Sequence, residues 1–209
     1  MATSSLVALR LGSEALVGLI CLLAVLSNLF VLKEITLFGL HVTAADAFSV
    51  GVILCLQLLQ EYYGSNLSKK AIWICFFGLI LYTITTQIHL WYIPNLCDNT
   101  ATHFRALLQC APRITSASLF VYLAVQHLDR FVYAKLQSRC GQRYLIARSY
   151  TALLVSQLAD TVLFSFLGLY GIVSNITHVI VASFAIKLVT IFISTPFVVF
   201  SKKIFRPNK

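Results

Sequence analysis

SYTALLVSQLADTVLFSFLGLYGIVSNITHVIVASFAIKLVTIFISTPFVVFS, from Ser149 to Ser201, is a run of 53 residues in which only Asp160 and Lys187 are charged. As a single helix it would measure roughly 80 Å at about 1.5 Å per residue. The hydrocarbon core of a bilayer is only about 30 Å thick, so the run must cross twice. The turn-forming stretch Gly171 to Asn175 places the break. One span is therefore expected near 149–170 and another near 176–200.

Four further apolar segments of about the required 20 residues precede this hairpin, near 15–32, 37–60, 71–93 and 114–135. The first carries no charge and no small-residue cleavage pattern, so it reads as an anchor and not as a removable signal peptide. The third follows Lys69 and Lys70 and ends with Trp91, Tyr92 and Pro94, which suit an interfacial aromatic belt and a helix stop. Composition agrees, with 59% hydrophobic residues, 11% charged residues and a mean hydropathy of +0.86. The expected fold class is all-α: a polytopic integral membrane protein in which residues 1–209 form one transmembrane domain of six helices.

Orientation follows from the basic residues. One side of this arrangement collects Arg10, Lys69, Lys70, Lys135, Arg139, Arg143, Arg148, Lys202, Lys203, Arg206 and Lys209, against Lys33, Arg105 and Arg113 on the other. The asymmetry puts both termini in the cytoplasm. A net charge of +9 then reflects loops facing anionic lipid head groups. Membrane lipid is the expected macroscopic partner, no nucleic-acid partner is expected, and an oligomer stays open.

Five ionisable residues, Asp46, Asp129, Arg130, Asp160 and Lys187, interrupt the spans. A charge at membrane depth costs a few kcal/mol or more, so it normally faces a protein interior or a wet cavity and marks a pathway or site. Asp46, Asp160 and Lys187 each lie ten to twelve residues into their expected spans, near mid-membrane, the usual depth of a transporter site. Asp129 and Arg130 lie deeper towards the cytoplasm.

Helical spacing joins these charges to other polar residues. Steps of three or four link Asp46, Ser49, Ile53, Gln57 and Gln60; Tyr122, Gln126, Asp129 or Arg130, and Tyr133; Gln157, Asp160 and Phe164; and Ser183, Lys187, Thr190 and Ser194. Four such stripes turned inward would enclose a pocket. The bland alternative is interhelical glue, with Asp160 and Lys187 cancelling each other and each polar contact stabilising the bundle by roughly 0.6 kcal/mol. Three acids and two bases cannot all cancel, which favours a site over glue for the charged set.

Several stretches carry a specific resemblance: Leu37-Phe-Gly-Leu-His-Val-Thr-Ala-Ala-Asp46-Ala-Phe, Leu58-Leu-Gln-Glu-Tyr-Tyr-Gly64 with Lys69-Lys-Ala, Gln87-Ile-His-Leu with Tyr92-Ile-Pro94, Pro112-Arg-Ile with Ala117-Ser-Leu-Phe, and Ser156-Gln-Leu-Ala-Asp-Thr-Val-Leu-Phe continuing to Gly171. Over nearly its whole length the chain resembles the queuosine precursor transporter family, also called the vitamin uptake transporter family. It departs from the pattern in the cysteine-bearing loop from Cys97 to Cys110 and in Ala45, where Gly is expected beside the acid.

The resemblance implies uptake across the bacterial inner membrane of a 7-deazaguanine, such as 7-cyano- or 7-aminomethyl-7-deazaguanine or queuine, for tRNA modification. A guanine-like edge has two N–H donors that match one carboxylate, a carbonyl that wants a donor, and a flat ring that wants an aromatic face. The expected substrate-binding set is Asp46, Gln57, Tyr122, Gln126, Asp129, Arg130, Gln157, Asp160, Phe164 and Lys187. Within it Asp160 takes the donor edge, Gln126, Gln157 and Lys187 the acceptors, Asp46 an opposing polar wall, and Phe164 or Tyr122 the ring.

No glycine-rich phosphate loop with lysine is present to couple ATP directly. The alternative from another class is an intramembrane enzyme using Asp129 or Asp160 as acid or base, although metalloprotease, serine-hydrolase and paired-aspartate motifs are missing. No cofactor is expected. The five histidines lack zinc-site spacing, so no metal is expected either. Cys21, Cys55 and Cys75 read as small apolar fillers of the spans. Cys97 and Cys110 share an outer loop on the oxidising side, where a disulfide between them stays open.

Overall fold

The computed structural model describes residues 2–37, 39–140 and 145–204, with the side chains of 2, 126, 129, 130, 133, 134, 136–140, 145–150, 152, 190, 191 and 193–204 outside the description. Eight α-helices dominate: α1 Ala2–Leu11, α2 Ser13–Phe30, α3 Asp46–Tyr63, α4 Ser65–Leu90, α5 Ala101–Leu108, α6 Ala111–Cys140, α7 Leu145–Phe164 and α8 Ile176–Ile204. A single π-helical turn, Ser165–Leu169, continues α7. Strands β1, Glu34–Leu37, and β2, Leu40–Thr43, form an antiparallel hairpin between α2 and α3.

Ser13–Phe30, Ser65–Leu90 and Ala101–Val125 are long and apolar enough to cross a membrane, and Leu153–Leu169 and Ile176–Val189 are shorter apolar helices. At about 1.5 Å per residue the 26 residues of α4 extend roughly 39 Å. Trp73, Phe77, Leu81, Ile84 and Ile88 are exposed at helical spacing along it. An apolar face of that kind suits hydrocarbon and not water.

The sequence places a helical span over 37–60, but the chain there is a hairpin followed by a helix that starts only at Asp46. The reason lies in the β-branched residues Ile35, Thr36, Val42 and Thr43, which favour extended backbone, and in Gly39, whose φ of +79° closes the turn at no steric cost. A lone hairpin is marginal unless it packs on something. Here Val42 and Thr43 are buried, β2 lies against α8, and Glu34 accepts hydrogen bonds from the Ser174 amide (2.8 Å) and hydroxyl. The all-α expectation is corrected to that extent.

Gly64 joins α3 to α4. Its φ of +88° would strain any side chain, and its amide donates to the Gln60 carbonyl at 3.0 Å. Two apolar clusters hold the bundle. The larger is made by α1 to α4, with Leu16, Ile20, Cys55, Leu58, Leu59 and Ala71 almost fully buried. The smaller gathers Val31, Ala45, Ile114, Leu169 and Val179, where the hairpin, α6, the π-turn and α8 meet.

Cys97 and Cys110 are both free thiols. Cys97 is exposed in the turn before α5, whereas Cys110 packs on the smaller cluster beyond that helix, so the two are held apart by local structure.

Candidate functional site

Beside these clusters lies a cavity of about 480 Å³, within the usual range of roughly 300–1,000 Å³ for small-molecule sites. The α3 stripe Asp46, Ser49, Ile53, Gln57 and Gln60 lines one wall. Gln157, Asp160, Thr161 and Phe164 from α7, Ser165 from the π-turn, and Ser183 and Lys187 from α8 line it as well. Tyr122 of α6 and Phe76 of α4 add aromatic surface, packed edge to face with centroids 5.0 Å apart. The structure thus brings together Asp46, Gln57, Tyr122, Gln157, Asp160, Phe164 and Lys187. Gln126, Asp129 and Arg130 lie outside the described residues.

Charge is concentrated at one level. Lys187 Nζ donates to Asp160 Oδ2, an ion pair in which the lysine side chain is 11% exposed and the carboxylate 31%. Asp46 is not ten residues into a span but the first residue of α3, because the hairpin occupies the preceding chain. A carboxylate in the first turn of a helix meets the positive end of the helix dipole, worth about 0.3–1 kcal/mol. Ser183 Oγ donates to Asp46 Oδ2 at 3.0 Å. Ser183 stands four residues before Lys187, on the same face of α8. One lysine therefore sits among two carboxylates carried by two other helices.

Hydroxyls and small amides, which helical spacing alone reads as glue, complete the lining. Ser27 and Ser49 share a hydrogen bond of 2.9 Å, Ser118 donates to Asn28 Oδ1 at 3.4 Å, and Thr161 donates to the Gln157 carbonyl at 2.9 Å. Thr43, Ala45 and Ser68 also line the cavity, and their signal was weak because each is small. The π-turn is a further feature that apolar pattern cannot show. Arg113 secures it, donating from Nε to Leu167 O at 3.0 Å and from Nη2 to Tyr170 O at 2.7 Å. π-turns recur at functional sites, and this one supplies Ser165 and Leu169 to the cavity wall. Among the described residues no group of three or more His, Cys, Asp or Glu is placed to hold a metal ion.

A family profile described as "Putative vitamin uptake transporter" matches residues 43–201, from the end of the hairpin through α8. The chain belongs to the vitamin uptake transporter family. A curated relative from Bacillus subtilis (strain 168), named "Probable queuosine precursor transporter", is 31% identical over 188 residues, which cover 88% of this chain and 81% of the relative. No solved structure matches. Membership makes this multi-pass bacterial membrane protein a transporter and not an enzyme. The acid–base catalyst alternative for Asp129 and Asp160 is thereby set aside.

Proposed function

We propose that this transporter imports a queuosine precursor, a 7-deazaguanine such as 7-cyano- or 7-aminomethyl-7-deazaguanine or queuine, across the bacterial inner membrane for tRNA modification. Six spans carry it, near 15–32, 46–63, 71–93, 114–135, 149–170 and 176–200, with both termini in the cytoplasm. The name of the Bacillus subtilis relative supports the cargo class. The single observation that carries the reading is the convergence of a carboxylate, side-chain amides, a lysine and aromatic faces on one cavity.

The chemistry fits group by group. Asp160 engages Lys187 through Oδ2, and a carboxylate offers about four acceptor sites, so it retains capacity for the paired N–H donors of the base. Gln157 and Lys187 donate to ring nitrogen and carbonyl oxygen, Phe164 or Tyr122 meets the ring face, and Asp46 with Gln57 forms the opposing wall. Gln126 is assigned as a further donor to those acceptor atoms, with Asp129 and Arg130 deeper towards the cytoplasm. Binding of a tritiated 7-deazaguanine to purified Asp160→Asn protein tests the assignment. Losing one good acceptor pair should weaken binding by about 1–3 kcal/mol, roughly fivefold to a hundredfold or more. Unchanged affinity would refute the role.

A further inference from the structure

We propose that uptake is coupled to protons, with Asp46 as the group that carries the proton and Lys187 as the cation it shares with Asp160. This deepens the functional reading above and rests on it. The starting point is a charge count. Asp46, Asp160 and Lys187 come from three helices onto one cavity, and one ammonium cannot neutralise two carboxylates at once. With Lys187 bonded to Asp160, the Asp46 carboxylate takes its hydrogen bond from the Ser183 hydroxyl. A hydroxyl satisfies one lone pair but leaves the charge, and uncompensated charge away from bulk water is removed most simply by taking up a proton.

Other neutralisers fit less well. A hard cation asks for about six oxygen ligands and favours several carboxylates, and no group of three or more His, Cys, Asp or Glu is placed to hold one among the described residues. Among the proposed cargoes 7-cyano-7-deazaguanine offers hydrogen-bond donors but no positive charge, so with that cargo Asp46 must find its neutraliser elsewhere. Among the described lining residues the remaining titratable group is Tyr122 from α6, while α2 and α4 contribute none and α1 does not reach the cavity. His41 and His178 stack on each other where the hairpin meets α8, with centroids 5.5 Å apart, and neither lines the cavity.

The cycle balances. With Asp46 protonated and Lys187 paired to Asp160 the cavity is neutral and accepts the base from outside. After the base leaves inward, Asp46 releases its proton to water on that side. Lys187, one helical turn from the Ser183 contact, then lies between both carboxylates while the empty carrier returns with one net negative charge, and Asp46 takes up a proton from the outer side to restart the cycle.

The test uses the full chain in liposomes with the membrane potential clamped at zero, and tritiated 7-cyano-7-deazaguanine with queuine as a second probe. One proton per base should accumulate the neutral 7-cyano-7-deazaguanine about tenfold for each pH unit of acid-outside gradient, because one unit corresponds to a tenfold ratio, while queuine serves for counterflow alone. In Asp46→Asn the steady-state ratio should fall to about one. That end point is set by coupling and not by rate, so weaker binding delays it without moving it. Should the Asn variant fail to fold, a trapped pH dye in wild-type vesicles reads the same quantity: one proton entering per base supports the coupling, and none overturns it. Counterflow without any response to the pH gradient, accumulation driven by sodium instead, or undiminished accumulation in Asp46→Asn each overturns the coupling alone. Absence of counterflow for either probe in wild-type protein overturns the functional reading and the coupling with it.

Discussion

Lys187→Met keeps the aliphatic stem and removes the ammonium, which leaves Asp160 without its cation. Breaking one side of a buried pair typically costs about 3–5 kcal/mol. Asp160, however, retains 31% exposure towards the cavity, where water can solvate the stranded carboxylate, so about 1–2 kcal/mol is expected for this variant. The reverse change, Asp160→Asn, strands an ammonium that is only 11% exposed and should cost about 3 kcal/mol. In the double variant neither charge is stranded. Its loss should fall below the sum of the single losses by about 2 kcal/mol, the signature of two groups in contact. Denaturant unfolding of detergent-solubilised protein, followed by the fluorescence of Trp73 and Trp91, measures all three. Simple additivity would show that the pair contributes no coupling energy and would refute the reasoning. Transport separates site from glue: the double variant should recover stability but not uptake, and recovered uptake would mean that the pair only holds helices together.

Arg113→Ala removes two hydrogen bonds onto the carbonyls of Leu167 and Tyr170; a loss of about 1 kcal/mol of local stability should speed amide exchange across 165–172 roughly fivefold, and unaltered exchange would argue against the clamp. Cys97 and Cys110 should both be alkylated without reductant, Cys97 faster because it is exposed, and a mass change on reduction would contradict free thiols. The Thr100 hydroxyl (2.6 Å) and amide (2.7 Å) hold the Asp98 carboxyl below the ordinary carboxylate range. The turn they close is therefore kept above that range and lost as pH falls through the lowered value. A carboxyl-carbon NMR titration of Asp98 with an ordinary or raised midpoint would count against it.

Much of this organisation is legible in the chain because lipid imposes a simple rule on length and charge. The 53-residue run from Ser149 to Ser201 could only be folded back, and in the structure α8 begins at Ile176, just past the turn. Likewise the three- and four-residue steps from Asp46 to Gln60 lie on one cavity wall, since a helix repeats its face at that period. The hairpin was hidden because Leu37 to Thr43 is as apolar as a helix, and hydropathy weighs Val42 without regard to backbone preference. Misplacing the start of α3 then put Asp46 in mid-helix when it stands at a helix end. Helix α1, with Ser5 buried beside Cys55 at 3.2 Å, was missed because ten residues are too few to register as a span. The π-turn depends on a slipped hydrogen-bond register that residue type does not encode.

The apolar packing is divided between a block built from α1 to α4 and another at the junction of hairpin, α6, π-turn and α8. Between them run hydroxyl contacts, Ser183 to Asp46 and Ser118 to Asn28, beside the ring contact of Phe76 with Tyr122, and hydrogen bonds can be exchanged for others at little net cost. A rocking motion of one block over the other would thus leave each greasy interior intact while swapping hydrogen-bond partners along the divide.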